Sequence, residues 1–182
     1  IYAERNPNVV KELGDVGNDL QIYGERLYAV INVSHLIEVM DVRTAKHIGK
    51  IPIPNCRYIT FKDGFAYVSS YAGPVQLDPN ARLGYVAKID TATLQVVAEC
   101  PVGYQPDELV IHGDKLYVAN SGGYRVPDYD KTISIIDLKT FTEEKKVDVA
   151  INLHRLELDN YGKIWVSSRG DYYKVPSKIF VF

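Results

Sequence analysis

The stretch KLYVANSGGYRVPDYDKTISIIDLKT, residues 115–140, decides the fold. Lys115 to Asn120 and Thr132 to Asp137 are short runs rich in β-branched and aromatic residues, the composition of strands that pack on a pleated surface. Between them Ser121 to Lys131 brings glycine, proline, tyrosine and aspartate, far more chain than a hairpin needs. After them comes Asp137-Leu138-Lys139-Thr140, whose aspartate can accept hydrogen bonds from the amides two and three residues on and so close the next turn. The unit is therefore a pair of strands with a long loop on one side and a stereotyped turn on the other.

The same plan recurs along the chain. Leu27-Tyr28-Ala29-Val30, Ala66-Tyr67-Val68-Ser69, Leu116-Tyr117-Val118-Ala119 and Ile164-Trp165-Val166-Ser167 are β-runs centred on an aromatic, at Tyr28, Tyr67, Tyr117 and Trp165, spaced by 39, 50 and 48 residues. Each follows a tight turn, in Tyr23-Gly24-Glu25, Lys62-Asp63-Gly64, His112-Gly113-Asp114 and Asn160-Tyr161-Gly162, with the glycine or asparagine that positive φ favours. The aspartate–threonine turn reappears as Asp41-Val42-Arg43-Thr44 and Asp90-Thr91-Ala92-Thr93. A fourth run follows it, as in His47 to Ile53, Gln95 to Val102 and Glu143 to Val149. Ile133-Ser134-Ile135-Ile136 is apolar at nearly every position, as expected of a strand covered on both faces, and no segment carries a helical period.

Four antiparallel strands in a repeat of ~40–50 residues describe the blade of a β-propeller. The expectation is one all-β domain, a β-propeller of about four blades at 15–54, 55–103, 104–151 and 152–182. A β-sandwich also has many short strands, but they would not repeat in groups of four with the same turn at the same place. Ile179 to Phe182 aligns with Ile133 to Ile136, so the last blade stops short of its aspartate turn and final strand. The expectation is part of a larger ring, the alternative being two such halves closing a ring as a dimer.

Composition narrows the function classes. Hydrophobic residues make up 46% and charged residues 24%, with a net charge of −2, so there is no basic surface of the kind nucleic acid requires. The apolar runs are too short for a transmembrane helix, and the polar, mixed start at Ile1 has no signal-peptide core. Cys56 and Cys100 have no metal-ligand spacing and read as small apolar residues at strand ends rather than a disulfide. Four scattered histidines form no metal cluster, and Asp78, Asp128 and Asp130 lack the glycine-spaced ladder of a calcium loop; no metal and no cofactor is expected. Fourteen tyrosines against five phenylalanines stand out, because a tyrosine ring packs while its hydroxyl bonds, which suits a wet binding surface.

The third repeat, YQPDELVIHGDKLYVANSGG followed by KTISIIDLKTFTEEKKVDVA, resembles the YVTN-type repeat of surface-layer and YncE-like β-propellers. The proline before the first strand, the LYVAN core and ISIIDLKTF carry the resemblance, which covers all four repeats from Leu13 onward. KELGDVGNDLQIYG and VSSRGDYYKVPSKIFVF look like the versions found in Bacteroidetes surface lipoproteins. The resemblance implies a seven-bladed ring at the bacterial cell surface, anchored to the outer membrane by a lipidated cysteine upstream of Ile1, or in the periplasm. It also implies capture of a small nutrient, an iron–siderophore or a corrinoid, for a TonB-dependent outer-membrane transporter. A propeller is a scaffold with many uses, so the site must be argued from its own residues.

Chain geometry places that site. The loop between the second and third strands of each blade, and the connector arriving from the previous blade, lie on one face. The long loops, Ser70 to Gly84, Ser121 to Lys131 and Arg169 to Pro176, all belong to it, whereas the first repeat has only Asn32 to His35. Candidate ligand-binding residues are Tyr71, Arg82, Tyr124, Arg125, Tyr129, Arg169, Tyr172 and Tyr173 from the loops, and Arg57, Tyr58, His154 and Arg155 from the connectors. Tyrosine and arginine together suit a flat or anionic ligand. Each has a structural reading as well: loop tyrosines pack over neighbouring loops, and Arg57 and Arg155 are placed to pair with Asp19 or Asp107 of adjoining blades. No GxSxG or HExxH occurs, so a non-catalytic binding module is expected, with a protein–protein or adhesion scaffold as the alternative and a propeller lyase, hydrolase or quinoprotein as the remaining class.

Overall fold

The computed structural model describes residues 1–9 and 13–181. Lys11 and Glu12, within one of the family-like stretches, and Phe182, at the end of the last expected run, lie outside the described residues. Among the described residues fifteen strands form four antiparallel sheets. The first comprises β1 (Gly17–Tyr23), β2 (Arg26–Ile31), β3 (Leu36–Asp41) and β4 (His47–Pro52); the second β5 (Cys56–Lys62), β6 (Phe65–Ser70), β7 (Tyr85–Asp90) and β8 (Gln95–Pro101). The third comprises β9 (Pro106–His112), β10 (Lys115–Asn120), β11 (Thr132–Asp137) and β12 (Thr142–Asp148), and the fourth β13 (Leu153–Leu158), β14 (Ile164–Ser168) and β15 (Lys178–Val181). Strands follow in sequence order across each sheet, and β1, β5, β9 and β13 contact their neighbours along an inner line. The described residues form four blades of a β-propeller, the last with three strands.

The blades pack face to face, and alternation along the strands decides which side chains meet. Tyr28, Val30 and Val39 of the first blade interlock with Ile59, Val68 and Ile89 of the second. Tyr67 and Val86 on the second blade's other face meet Leu116, Val118 and Phe141 of the third, and Ile133 and Ile135 meet Leu156 and Val166 of the fourth. Each repeat's central aromatic thus points at the following blade. Trp165 holds that position in the last sheet, where it is 43% exposed beside Ile179 and Val181.

The aspartate turns form as the sequence requires. Asp41 Oδ1 accepts from the amides of Arg43 and Thr44, Asp90 Oδ1 from Ala92 and Thr93, and Asp137 Oδ1 from Lys139 and Thr140. Less expected is the next residue, Ala45, Leu94 or Phe141, held at φ 56°, 60° and 53° without being glycine. Its amide donates to the carbonyl of the same aspartate, and its side chain packs into or against an apolar cluster, which offsets the strained backbone.

A one-turn helix, α1 (Tyr2–Arg5), is the one departure from an all-strand chain among the described residues, too short for any period to show in sequence. Tyr2 and Leu13 pack on the outward face of the first blade with Ala29, Ile31 and Met40. The Tyr2 hydroxyl donates to Glu38 Oε1 at 2.5 Å, and burial pushes that phenol well above its ordinary range. Both cysteines are free and buried, and burial pushes the Cys56 thiol up to about 12. Among the described residues no helix is long and apolar enough to cross a membrane.

Candidate ligand-binding site

Each inner strand begins the same way. Val16, Asn55, Gln105 and Asn152 take positive φ, from 42° to 57°, and their carbonyls accept the amides of Asn32, Tyr71, Ser121 and Arg169 at the ends of the second strands. A register shift follows in every blade, a bulge with a pair of residues within or beside it. Those pairs are Asn18–Asp19, Arg57–Tyr58, Asp107–Glu108 and His154–Arg155. The local backbone therefore delivers two polar side chains per blade to the inner end of the long-loop face.

Asp107 is the centre of this arrangement. It is fully buried, and its Oδ1 accepts from the Tyr71 hydroxyl at 2.7 Å and from Arg57 Nε at 3.2 Å, while Oδ2 accepts from Arg169 Nη1 at 3.3 Å. Three blades thereby meet on one carboxylate. The Arg57 guanidinium also lies over the Tyr71 ring, 4.7 Å from its centroid. Burial opposes the Arg57 charge, but Tyr71 and Asp107 outweigh it and raise its pKa. Burial, reinforced by Asp107, pushes the Tyr71 phenol well above its ordinary value.

Above this centre lies a cavity of about 500 Å³ lined by Arg57, Tyr71, Tyr124, Tyr129, Arg169 and Tyr172, together with Leu77, Gly123 and Val126. The three long loops all contribute, and the first two are tied to each other and to the inner strand. The Tyr124 amide donates to the buried Gln105 Oε1 at 2.7 Å, and its carbonyl accepts the Asp78 amide at 2.9 Å. Tyr71 and Tyr124 meet edge to face, 6.2 Å between centroids.

The other candidate residues are placed differently. The Tyr58 hydroxyl lies 2.8 Å from His154 Nε2 across the inner strands, and burial lowers the His154 pKa to about 4, so the ring is neutral at pH 7. Arg155 pairs with Glu108 at 3.0 Å and stacks over Tyr58, which corrects the expectation that Asp19 or Asp107 would hold it. Asp19 is engaged by the Ile59 amide instead, at 3.0 Å. Glu108 accepts the Leu156 amide at 2.7 Å, and burial raises its carboxyl to about 7. Arg125 is a loop brace: it donates to the carbonyls of Asp128 and Pro79 and stacks on Tyr104 at 3.8 Å. Arg82 donates to the Ala72 carbonyl and lines a second cavity of about 300 Å³ with Pro74, Asp78 and Asn80. Tyr173 is 86% exposed, outside the main cavity.

The loop aspartates are engaged locally. Asp130 caps Lys131 and Thr132 and accepts the Tyr104 amide, and Asp171 Oδ1 accepts the amides of Tyr173, Lys174 and Val175. Among the described residues no group of three or more His, Cys, Asp or Glu is placed to hold a metal ion. Sequence reasoning did not single out Leu77, Gly123 and Val126, which carry no chemical signature. Asp107 was legible only as a clasp, since its position as a shared acceptor depends on three blades meeting.

No family model and no curated protein matches the sequence. Solved structures do. Hydrazine synthase of Kuenenia stuttgartiensis superposes with a TM-score of 0.79 at 17% identity, over 96% of this chain and 48% of that one. BamB from Moraxella catarrhalis gives 0.63 at 15% identity, over 83% and 40%, and the WD40 β-propeller domain of Doa1 gives 0.64 at 14%, over 82% and 47%. The shared property is the propeller fold. The chain spans about half the length of these structures or less, and at such identity the likeness carries fold alone.

Proposed function

We propose that this propeller is a non-catalytic ligand-binding module, and that the Arg57–Tyr71–Tyr124–Arg169 cavity on the long-loop face is its site. The observation that carries the reading is one cavity of small-molecule size into which three loops deliver tyrosine rings and two guanidiniums fixed by a buried carboxylate. The YVTN-type repeat supports placing the protein among YncE-like propellers of the bacterial cell surface or periplasm. On that reading the ligand is a nutrient, an iron–siderophore or a corrinoid, handed to a TonB-dependent transporter. The cationic floor favours the siderophore, and a corrinoid would enter only in part.

The test is a titration of the purified protein with ferric siderophores of catecholate and carboxylate type and with cyanocobalamin, followed by absorbance. Saturable binding of one of them, lost on joint replacement of Arg57 and Arg169 by glutamine and retained on replacement of Arg155, is expected. An affinity that survives replacement of all three arginines refutes the site. A second reading, a protein–protein scaffold, draws on Trp165, Ile179 and Val181, exposed together on the last sheet. A protein that binds none of these ligands but co-purifies with an outer-membrane receptor supports it.

A further inference from the structure

The charges around the cavity limit what part of a ligand it can hold. The floor carries two guanidiniums, Arg57 and Arg169, against one carboxylate, Asp107, and Asp107 is fully buried beneath them. Glu108 is committed to Arg155 and the Leu156 amide, away from the lining, and His154 is neutral. At the rim Asp171 is turned into its own loop by three amides. The floor is therefore left with one net positive charge.

Geometry adds a shape. A guanidinium presents five N–H donors in a planar fork. Asp107 takes one from Arg57 Nε and one from Arg169 Nη1, so both forks are oriented by the same buried acceptor and retain donors for a second one. The Arg169 side chain is 31% exposed and that of Arg57 13%, so both reach the cavity without being freely hydrated. Such a pair suits the two oxygens of a carboxylate. The walls are tyrosines 71, 124, 129 and 172, with Leu77 and Val126 apolar between them, a surface for a flat ring.

We infer that the group held in this cavity is a flat aromatic carrying a single carboxylate, with the carboxylate on Arg57 and Arg169 and the ring among the tyrosines. The inference rests on the cavity being the ligand site. A second negative charge would find no further cation at the floor, and a neutral ring would leave the guanidiniums without their second acceptor.

The experiment compares naphthoate, its neutral amide and naphthalene dicarboxylate by calorimetry and saturation-transfer NMR on the intact chain, in the wild type and in Arg169→Met. Circular dichroism checks that the variant keeps its fold. Naphthoate is expected to bind roughly tenfold more tightly than naphthamide, since a charge-assisted pair replaces a neutral contact. Arg169→Met should weaken naphthoate about tenfold and leave naphthamide unchanged. Equal binding of acid and amide, tighter binding of the diacid, or failure of naphthoate to bind each overturns the inference. In the first two cases the cavity stands as a ligand site and only its selectivity is wrong. Failure of naphthoate together with arginine-dependent siderophore binding likewise refutes the aromatic-acid class alone, whereas failure of both sets removes the site.

Discussion

Replacing Asp107 by asparagine isolates the buried charge from the shape that holds it. The side chain is fully buried, and its two oxygens serve Arg57, Arg169 and Tyr71. Asparagine keeps an acceptor for the Tyr71 hydroxyl but sets an amide nitrogen against a guanidinium and removes the charge that balances Arg57. Breaking a buried ion pair by removing one partner costs about 3–5 kcal/mol. The partly exposed Arg169 recovers water and counts for little, so the expected loss lies at the lower end, about 3 kcal/mol. For a chain of this length that is a fall of roughly 6–12 °C in melting temperature. Urea unfolding followed by far-ultraviolet circular dichroism measures it, with Arg57→Gln, Arg169→Gln and the Asp107→Asn/Arg57→Gln double variant in parallel. Arg57→Gln should cost about 2 kcal/mol and Arg169→Gln less than about 1 kcal/mol. The double variant should cost clearly less than the sum of its parts, since one broken pair cannot be lost twice. A loss below about 1 kcal/mol for Asp107→Asn, or additive single effects, would show that the carboxylate is not the clasp described.

Three further outcomes follow from other parts of the structure. Glu108, raised by burial from 4.5 to about 7, binds its proton more tightly folded than unfolded; its stabilisation is complete below the lower value and fades as pH rises through the upper one, a decline of about 1–2 kcal/mol after allowance for solvent. Glu108→Gln should flatten that slope in urea melts across the same pH range, and an unchanged slope would assign it elsewhere. Gly122 sits at φ 56° with the Asp130 backbone where a Cβ would go, so Gly122→Ala should cost about 1–3 kcal/mol and disturb Tyr124; an unaltered melting temperature contradicts this packing. Cys56 and Cys100 are buried, and burial raises both thiols, so a disulfide reagent should modify them only as fast as the protein unfolds. Prompt modification of either in the native state would count against their positions.

The blade plan was readable because its determinants are local. A turn aspartate, a glycine in a hairpin and alternating apolar residues each act within a few positions, and the repetition fixed their meaning. The positive φ at Leu94 and Phe141 was not readable, because what offsets it is packing against another strand or blade. The site divides in the same way. That Tyr124, Tyr129 and Tyr172 share a face follows from strand direction, and the cavity they line with Arg57 and Arg169 uses that face. Whether an arginine reaches the cavity or braces a loop depends on which acceptor lies nearest: Arg125 meets carbonyls of Pro79 and Asp128, and Arg155 meets Glu108. Such choices are made between blades, across distances that spacing in sequence does not encode.

The chain has a single tryptophan, and its indole N–H donates to Asp159 Oδ2 on the outward face of the last sheet. Fluorescence excited at the red edge, where indole absorbs and tyrosine does not, is therefore a local optical signal, separate from the tyrosines of the inter-blade cores. Emission from a half-exposed indole starts towards the red, so unfolding shifts it little, whereas any surface laid over Trp165 shifts it to the blue. An unfolding curve followed at the tryptophan reports the last blade, and a curve followed by circular dichroism reports all four. Where the two separate along a denaturant axis, they measure how much of the four blades' cooperativity the last sheet shares.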